Sequence, residues 1–318
     1  MLDRRLGADH TRFRGPSYCL KECLDEGCQR GGLGWRGRWL GLAVAAAVLV
    51  VGCSGNSNNG GRRTGSGTHA AAATTLAPLV QPASRCAAPE AKATLLRFPA
   101  ADGVQLDGVL VGSGPAGVVL LHAYPADLCG FWPYAVYLSQ RGLQALAIDL
   151  RCFGLSACPQ AADAKSRVVD DVAGAVAALR AHGARRVALV GASMGATTAL
   201  LAGAALRPPV AAVVSLSTGR FDLATLLGGS TPLDTYRAAR RLSVPVLFAV
   251  ARGDPNVPVA QVQALYRMAP ARDKQLVILG GASRGRHGWD LVGGAHGAGF
   301  TPFAAKVAGF VSAHTAAD

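Results

Sequence analysis

The sequence predicts an α/β fold: a mainly parallel, twisted sheet of eight strands with helices on both faces. Three observations carry that expectation. Short apolar runs of strand length recur between residues 94 and 280, and helix-period patterns separate the later ones. With 318 residues and 50% hydrophobic content, the chain is also long and apolar enough to bury the core such a sheet needs. The same composition, with only 16% charged residues, excludes a disordered, collagenous or coiled-coil chain.

The first two runs, TLLRF (94–98) and VQLDGVLV (104–111), are expected to pair antiparallel, the second alternating like a half-exposed strand. GVVLLHA (117–123), LQALAID (143–149), RVALVGA (186–192), VAAVVSLS (210–217), VPVLFAV (244–250) and QLVILG (275–280) follow. These are continuously apolar, as parallel strands buried on both faces should be. Helical patterns occupy 131–142, 170–183, 194–206, 231–242, 258–269 and 301–314. The Asp170-Asp171 pair suits a helix N-terminus, and Gly142 and Gly183 suit helix stops. Residues 90–318 therefore read as one domain with no internal repeat. Thr218–Leu242 is the one stretch where an insertion could form a lid, and it is short, so the cap is expected to be small or absent.

Ahead of that domain, residues 1–52 read as a leader. Leu40–Val51 is a run of twelve apolar residues behind Arg36 and Arg38, too short to span a bilayer, which needs about 20. A positive flank, a short apolar stretch and small residues at its end are the parts of an export signal. The segment Val50-Val51-Gly52-Cys53 resembles the lipobox of bacterial lipoproteins, which implies cleavage before Cys53 and its acylation. Residues 53–89, rich in Gly, Ser, Asn and Ala without apolar period, then read as a flexible tether. The expected location is extracytoplasmic, either lipid-anchored to the cell membrane through Cys53 or secreted. Residues before about Leu33 are longer and more acidic than a signal's basic head, which suggests that translation starts further downstream. Cys19, Cys23 and Cys28 lack a fourth ligand at a familiar spacing, so no metal site is read there. The remaining cysteines, Cys86, Cys129, Cys152 and Cys158, are even in number, and in an exported protein they predict disulfides whose pairing is open among three possibilities.

The formal charge of +13 could point to nucleic acid or an anionic surface. The basic residues are scattered, however, and no Lys/Arg block is interleaved with aromatics, so no nucleic-acid partner is expected. Basic residues such as Arg220 and Arg252 could favour anionic substrates, but solvated surface arginine is the preferred reading.

Ligands of open α/β sheets bind beyond the carboxyl ends of the strands, and three such ends carry a matched set. After the fifth run comes Gly191-Ala192-Ser193-Met194-Gly195, a G-x-S-x-G between strand and small-residue helix, which makes Ser193 the expected nucleophile. A neutral hydroxyl needs a base. In the chain order serine, acid, histidine, Asp254 past the seventh run and His287 past the eighth supply the acid and the base. Asp222 and His296 are the rivals for these roles, with His287 preferred because its loop from the strand is shorter. Backbone N–H groups of Met194 and Tyr124 would form the oxyanion hole.

Across residues 90–318 the chain resembles the α/β-hydrolase family, most closely its dienelactone-hydrolase-like and serine-aminopeptidase-like branches. LLHAYPAD (120–127), AIDLRCFGLS (147–156), VGASMGA, ARGDPNVP and RHGWDL carry the resemblance. Ala123 stands where the family usually has Gly after the histidine, and Cys152 where it has Gly in DxRGxGxS. Dienelactone hydrolases proper use a cysteine nucleophile, so that activity is not implied. The resemblance implies acyl transfer to water through an acyl-enzyme, with a small ester as substrate and neither cofactor nor metal. A proline-releasing peptidase would want a larger cap, and a catalytically silent scaffold that binds a ligand or an envelope partner is the reading from another class. Pocket shape is expected from loops near Phe131-Trp132, Phe153 and residues 218–235.

Overall fold

The structure, a computed structural model, describes residues 85, 86, 91–295 and 298–316. The leader with Cys19, Cys23 and Cys28, the lipobox with Cys53, most of the expected tether, and His296 lie outside the described residues.

Strands β1 (Ala93–Pro99), β2 (Gln105–Val111), β3 (Ala116–Leu121), β4 (Gln144–Ile148), β5 (Arg186–Ala192), β6 (Ala212–Leu216), β7 (Val246–Ala251) and β8 (Lys274–Leu279) form one sheet in the order β1-β2-β4-β3-β5-β6-β7-β8. Both pairings of β2, with β1 and with β4, are antiparallel, and every later pairing is parallel. All eight apolar runs thus become strands.

The continuous apolar character of the central strands has its reason in the packing. Within β3, Val119 and Leu121 join the core on one face of the sheet while Val118 and Leu120 join that on the other, and all four are fully buried. Burying one such side chain stabilises the fold by about 1.5–3 kcal/mol. Helices α1 (Trp132–Ser139) and α8 (Pro302–Thr315) cover one face. On the other face lie α3 (Val168–Ala181), α4 (Met194–Ala205) and α7 (Val259–Met268).

Three shorter helices complete the fold: α2 (Ala162–Lys165), α5 (Leu223–Leu227) and α6 (Thr235–Ala239). The helix expected over 231–242 shrinks to α6 because Asp234 caps it, accepting from the N–H groups of Tyr236 and Arg237, while its own backbone bridges to Asp222. Thr218–Leu242 therefore holds a pair of single-turn helices packed against α4, in keeping with a small cap. Phe131 and Trp132, expected near the pocket, are instead buried under α1 in the core shared with α8. Among the described residues no helix is long and apolar enough to cross a membrane.

Two disulfides form, Cys86–Cys129 and Cys152–Cys158. Neither joins the ends of β3 and β4 to each other, although those strands are neighbours. Cys129 instead holds the segment preceding β1, where Arg85 forms ion pairs with Asp127 and Asp149. Asp149, just past β4, also accepts from the N–H groups of Leu128 and Leu155, so one buried carboxylate gathers three loops at the carboxyl edge of the sheet.

Candidate functional site

The turn from β5 into α4 places Ser193 at φ 52°, a backbone region that non-glycine residues rarely occupy. Close packing on either side explains the two glycines. A Cβ on Gly191 would land on the carbonyl of Gly195, and a Cβ on Gly195 would land on the carbonyl of Leu121 in β3. The turn is anchored by the Ser193 N–H, which donates to Leu216 O at 2.9 Å, and by a 2.7 Å hydrogen bond between the Thr197 and Thr218 hydroxyls.

Beyond β7 and β8 two loops meet. His287 Nδ1 lies 2.9 and 3.1 Å from the two oxygens of Asp254. The Asp254 carboxylate is fully buried and also accepts from the N–H groups of Asn256 and Val257, both at 3.0 Å. Burial alone would raise this carboxyl, but the hydrogen bonds from His287 and the Asn256 N–H, with the Ser217 hydroxyl beside them, hold it below the usual carboxylate range. Gly285 N–H donates to Arg252 O and ties the histidine loop to the aspartate loop.

Ser193 and His287 line one cavity of about 340 Å³, together with Met194, Tyr124, Thr218–Phe221, Leu226 and Gln261. Both residues expected to supply oxyanion donors therefore line the same cavity as the serine. As the first residue of α4, Met194 has an N–H without an intrahelical acceptor. Asp222 is not brought to the histidine: its carboxylate caps α5, accepting from Ala224 N–H and Leu233 N–H. Arg220 lines the cavity, whereas Arg252 does not. Phe153 also lies outside the cavity lining, packing edge-on against His122 and Tyr124.

His122, at the end of β3, is a positioning residue that sequence reasoning did not single out. It is fully buried; its Nε2 accepts from Leu150 N–H, which leaves the proton on Nδ1 to donate to Ala123 O. Burial lowers its pKa and keeps it neutral. This imidazole thus clamps the backbone immediately before Tyr124 to the end of β4. A polar residue ending the apolar run GVVLLHA was the available signal, since a buried histidine must have partners.

A hydroxyl at the mouth of a helix, an imidazole on the same cavity and a buried carboxylate behind it can pass a proton and stabilise the imidazolium that results. A family model described as the alpha/beta hydrolase fold matches residues 117–239, from β3 to the end of α6. An esterase of Pyrococcus furiosus superposes with a TM-score of 0.58 at 18% identity, over 76% of this chain and 96% of that one. The enol-lactonase of Burkholderia xenovorans superposes with a TM-score of 0.54 at 16% identity, over 68% of this chain and 99% of that one. No curated protein matches the chain by sequence. Sheet order, helix placement and these likenesses agree: the chain has the α/β-hydrolase fold.

Proposed function

We propose that the protein is a serine hydrolase that cleaves a small carboxylic ester, in the manner of a carboxylesterase. The observation that carries this reading is the His287 imidazole, bound through Nδ1 to Asp254 and lining the same cavity as Ser193. In the reaction the Ser193 hydroxyl attacks the ester carbonyl while His287 Nε2 takes its proton. The N–H groups of Met194 and Tyr124 stabilise the oxyanion, and collapse of the tetrahedral intermediate expels the alcohol, protonated by His287. Water then attacks the acyl-enzyme by the same route and releases the acid. The residues supply every proton movement, so the mechanism calls on no cofactor.

The export and lipid anchoring expected at Cys53 belong to the same proposal. Two disulfides support it, because such bonds persist in oxidising compartments. Metabolic labelling with a radioactive fatty acid should mark the full chain and fail with Cys53→Ala.

The test of activity is hydrolysis of p-nitrophenyl esters over an acyl-chain series, beside labelling by a fluorophosphonate. Both should be present in the parent and absent in Ser193→Ala. A folded parent that neither turns over an ester nor takes the label overturns the assignment and leaves a binding scaffold.

A further inference from the structure

The cavity beside Ser193 has one charged wall residue, Arg220, and no carboxylate lining it among the described residues. Asp254 does not offset that charge at the wall, because its side chain is wholly buried behind His287. Two other arginines at this edge of the sheet are paired: Arg85 with Asp127 and Asp149, Arg151 with Asp102 and Asp171. Arg220 has no carboxylate partner among the described residues, and Asp222, two positions on, is committed to capping α5. Its guanidinium rests 5.7 Å from the Tyr236 ring, at the outer limit of cation–π attraction, and is readily drawn to a stronger partner.

The neighbouring amide is oriented to help. Gln261 Oε1 accepts the Arg220 N–H at 2.9 Å, and a Cβ on Gly219 would collide with the same side chain, so the glutamine is held against the loop. With its oxygen engaged, Gln261 presents its NH₂ group as a donor. The opposite character comes from Met194, Leu226 and Val257, which offer apolar contact for a short methylene chain. A volume of about 340 Å³ is at the small end of ligand cavities, and Arg220 and Ser193 line the same one.

We infer that the site selects esters whose acyl group ends in a free carboxylate, such as monoesters of short dicarboxylic acids, with Arg220 and the Gln261 amide binding the anion. This rests on the esterase reading above. Arginine suits the role, since its planar fork meets a carboxylate with two parallel hydrogen bonds.

The experiment compares kcat/KM for p-nitrophenyl hydrogen glutarate with that for its neutral methyl ester, p-nitrophenyl methyl glutarate. The parent should prefer the anionic ester by about tenfold or more, the worth of one hydrogen-bonded charge pair. That ratio should drop about tenfold in Arg220→Met, fall further in Arg220→Glu, and be partly kept in Arg220→Lys. Gln261→Leu should lower it by a smaller factor. A parent ratio near one, or a ratio indifferent to Arg220→Met, overturns the inference while leaving esterase activity intact. Failure of the folded parent on both esters overturns the esterase reading instead. Calorimetric binding of monomethyl against dimethyl glutarate then decides the inference by itself, and equal affinities sink it.

Discussion

Replacing Asp254 by Asn separates the proposed roles of the carboxylate more cleanly than deleting it. Oδ1 of Asp254 accepts from the N–H groups of Asn256 and Val257, both at 3.0 Å, so the Asn oxygen will take that place. The NH₂ group is then forced into the position of Oδ2, 3.1 Å from His287 Nδ1. Nδ1 now faces a donor at that position, and its other neighbour, the oxygen at 2.9 Å, is uncharged and already shared by two backbone N–H groups. The imidazole answers by moving its proton from Nδ1 to Nε2, the nitrogen that must be empty to receive the Ser193 proton. A wrong-tautomer change of this kind lowers kcat by about 10⁴, or about 5.5 kcal/mol of barrier. Stability should suffer less, because the two backbone donors keep their acceptor and a single charged hydrogen bond is lost, about 1.5–3 kcal/mol. The assay is ester hydrolysis and the second-order rate of fluorophosphonate labelling, with folding checked by circular dichroism. A variant within tenfold of the parent refutes the reasoning, as does an Asp222→Asn variant that loses as much activity as Asp254→Asn.

Three further outcomes are expected. Gly195→Ala drives a methyl into the Leu121 carbonyl, and should destabilise the fold by about 1–3 kcal/mol in a denaturant titration and reduce labelling of Ser193. Chain entropy makes the Cys86–Cys129 bridge, with a separation of 43 residues, worth about 4 kcal/mol, and the Cys152–Cys158 bridge, with a separation of 6, about 2 kcal/mol. Paired Cys→Ser variants should reproduce that order in urea, and the reverse order contradicts it. His122 has its pKa lowered in the fold, so the unfolded chain binds the proton more readily; the stability it contributes is present above the unfolded value of about 6.5 and is lost as pH falls through the lower folded value. The stability deficit of His122→Gln relative to the parent should therefore be widest near neutrality and narrow on acidification, as read by thermal midpoints over pH. A deficit independent of pH argues against a buried neutral imidazole.

Much of this architecture was legible because parallel strands are buried twice. Val118 and Val119 must both be apolar when they face opposite cores, and that leaves an unbroken run in the sequence. Helix α5 was not legible, since LATLL is too short to display a helical period; what makes it is local, with Asp222 capping its start and Gly228 at φ 76° ending it. Ser193, Asp254 and His287 could be read from chain order and strand ends, because backbone topology alone carries them to one edge. The disulfide partners could not, as they depend on the path of the segment before β1. Nor could the fate of Phe131 and Trp132, whose large rings serve equally well as a pocket wall or as core. Arg220 was half legible: the loop 218–235 was expected to shape the pocket, whereas an arginine within it reads by type alone as solvated surface.

The ion pairs of Arg85 and the bridge from Cys86 bear on how small this protein can be made. Pattern places the start of the domain near residue 90, yet the last cation and the last cysteine it needs lie upstream. A chain begun at residue 90 would leave Asp149 as a buried carboxylate without its cation, a loss of about 3–5 kcal/mol. It would also expose Cys129 as an unpaired thiol beside the loops that hold the site. The minimal folding unit therefore begins before Arg85, and any shortened version intended for crystals or assays should keep those residues.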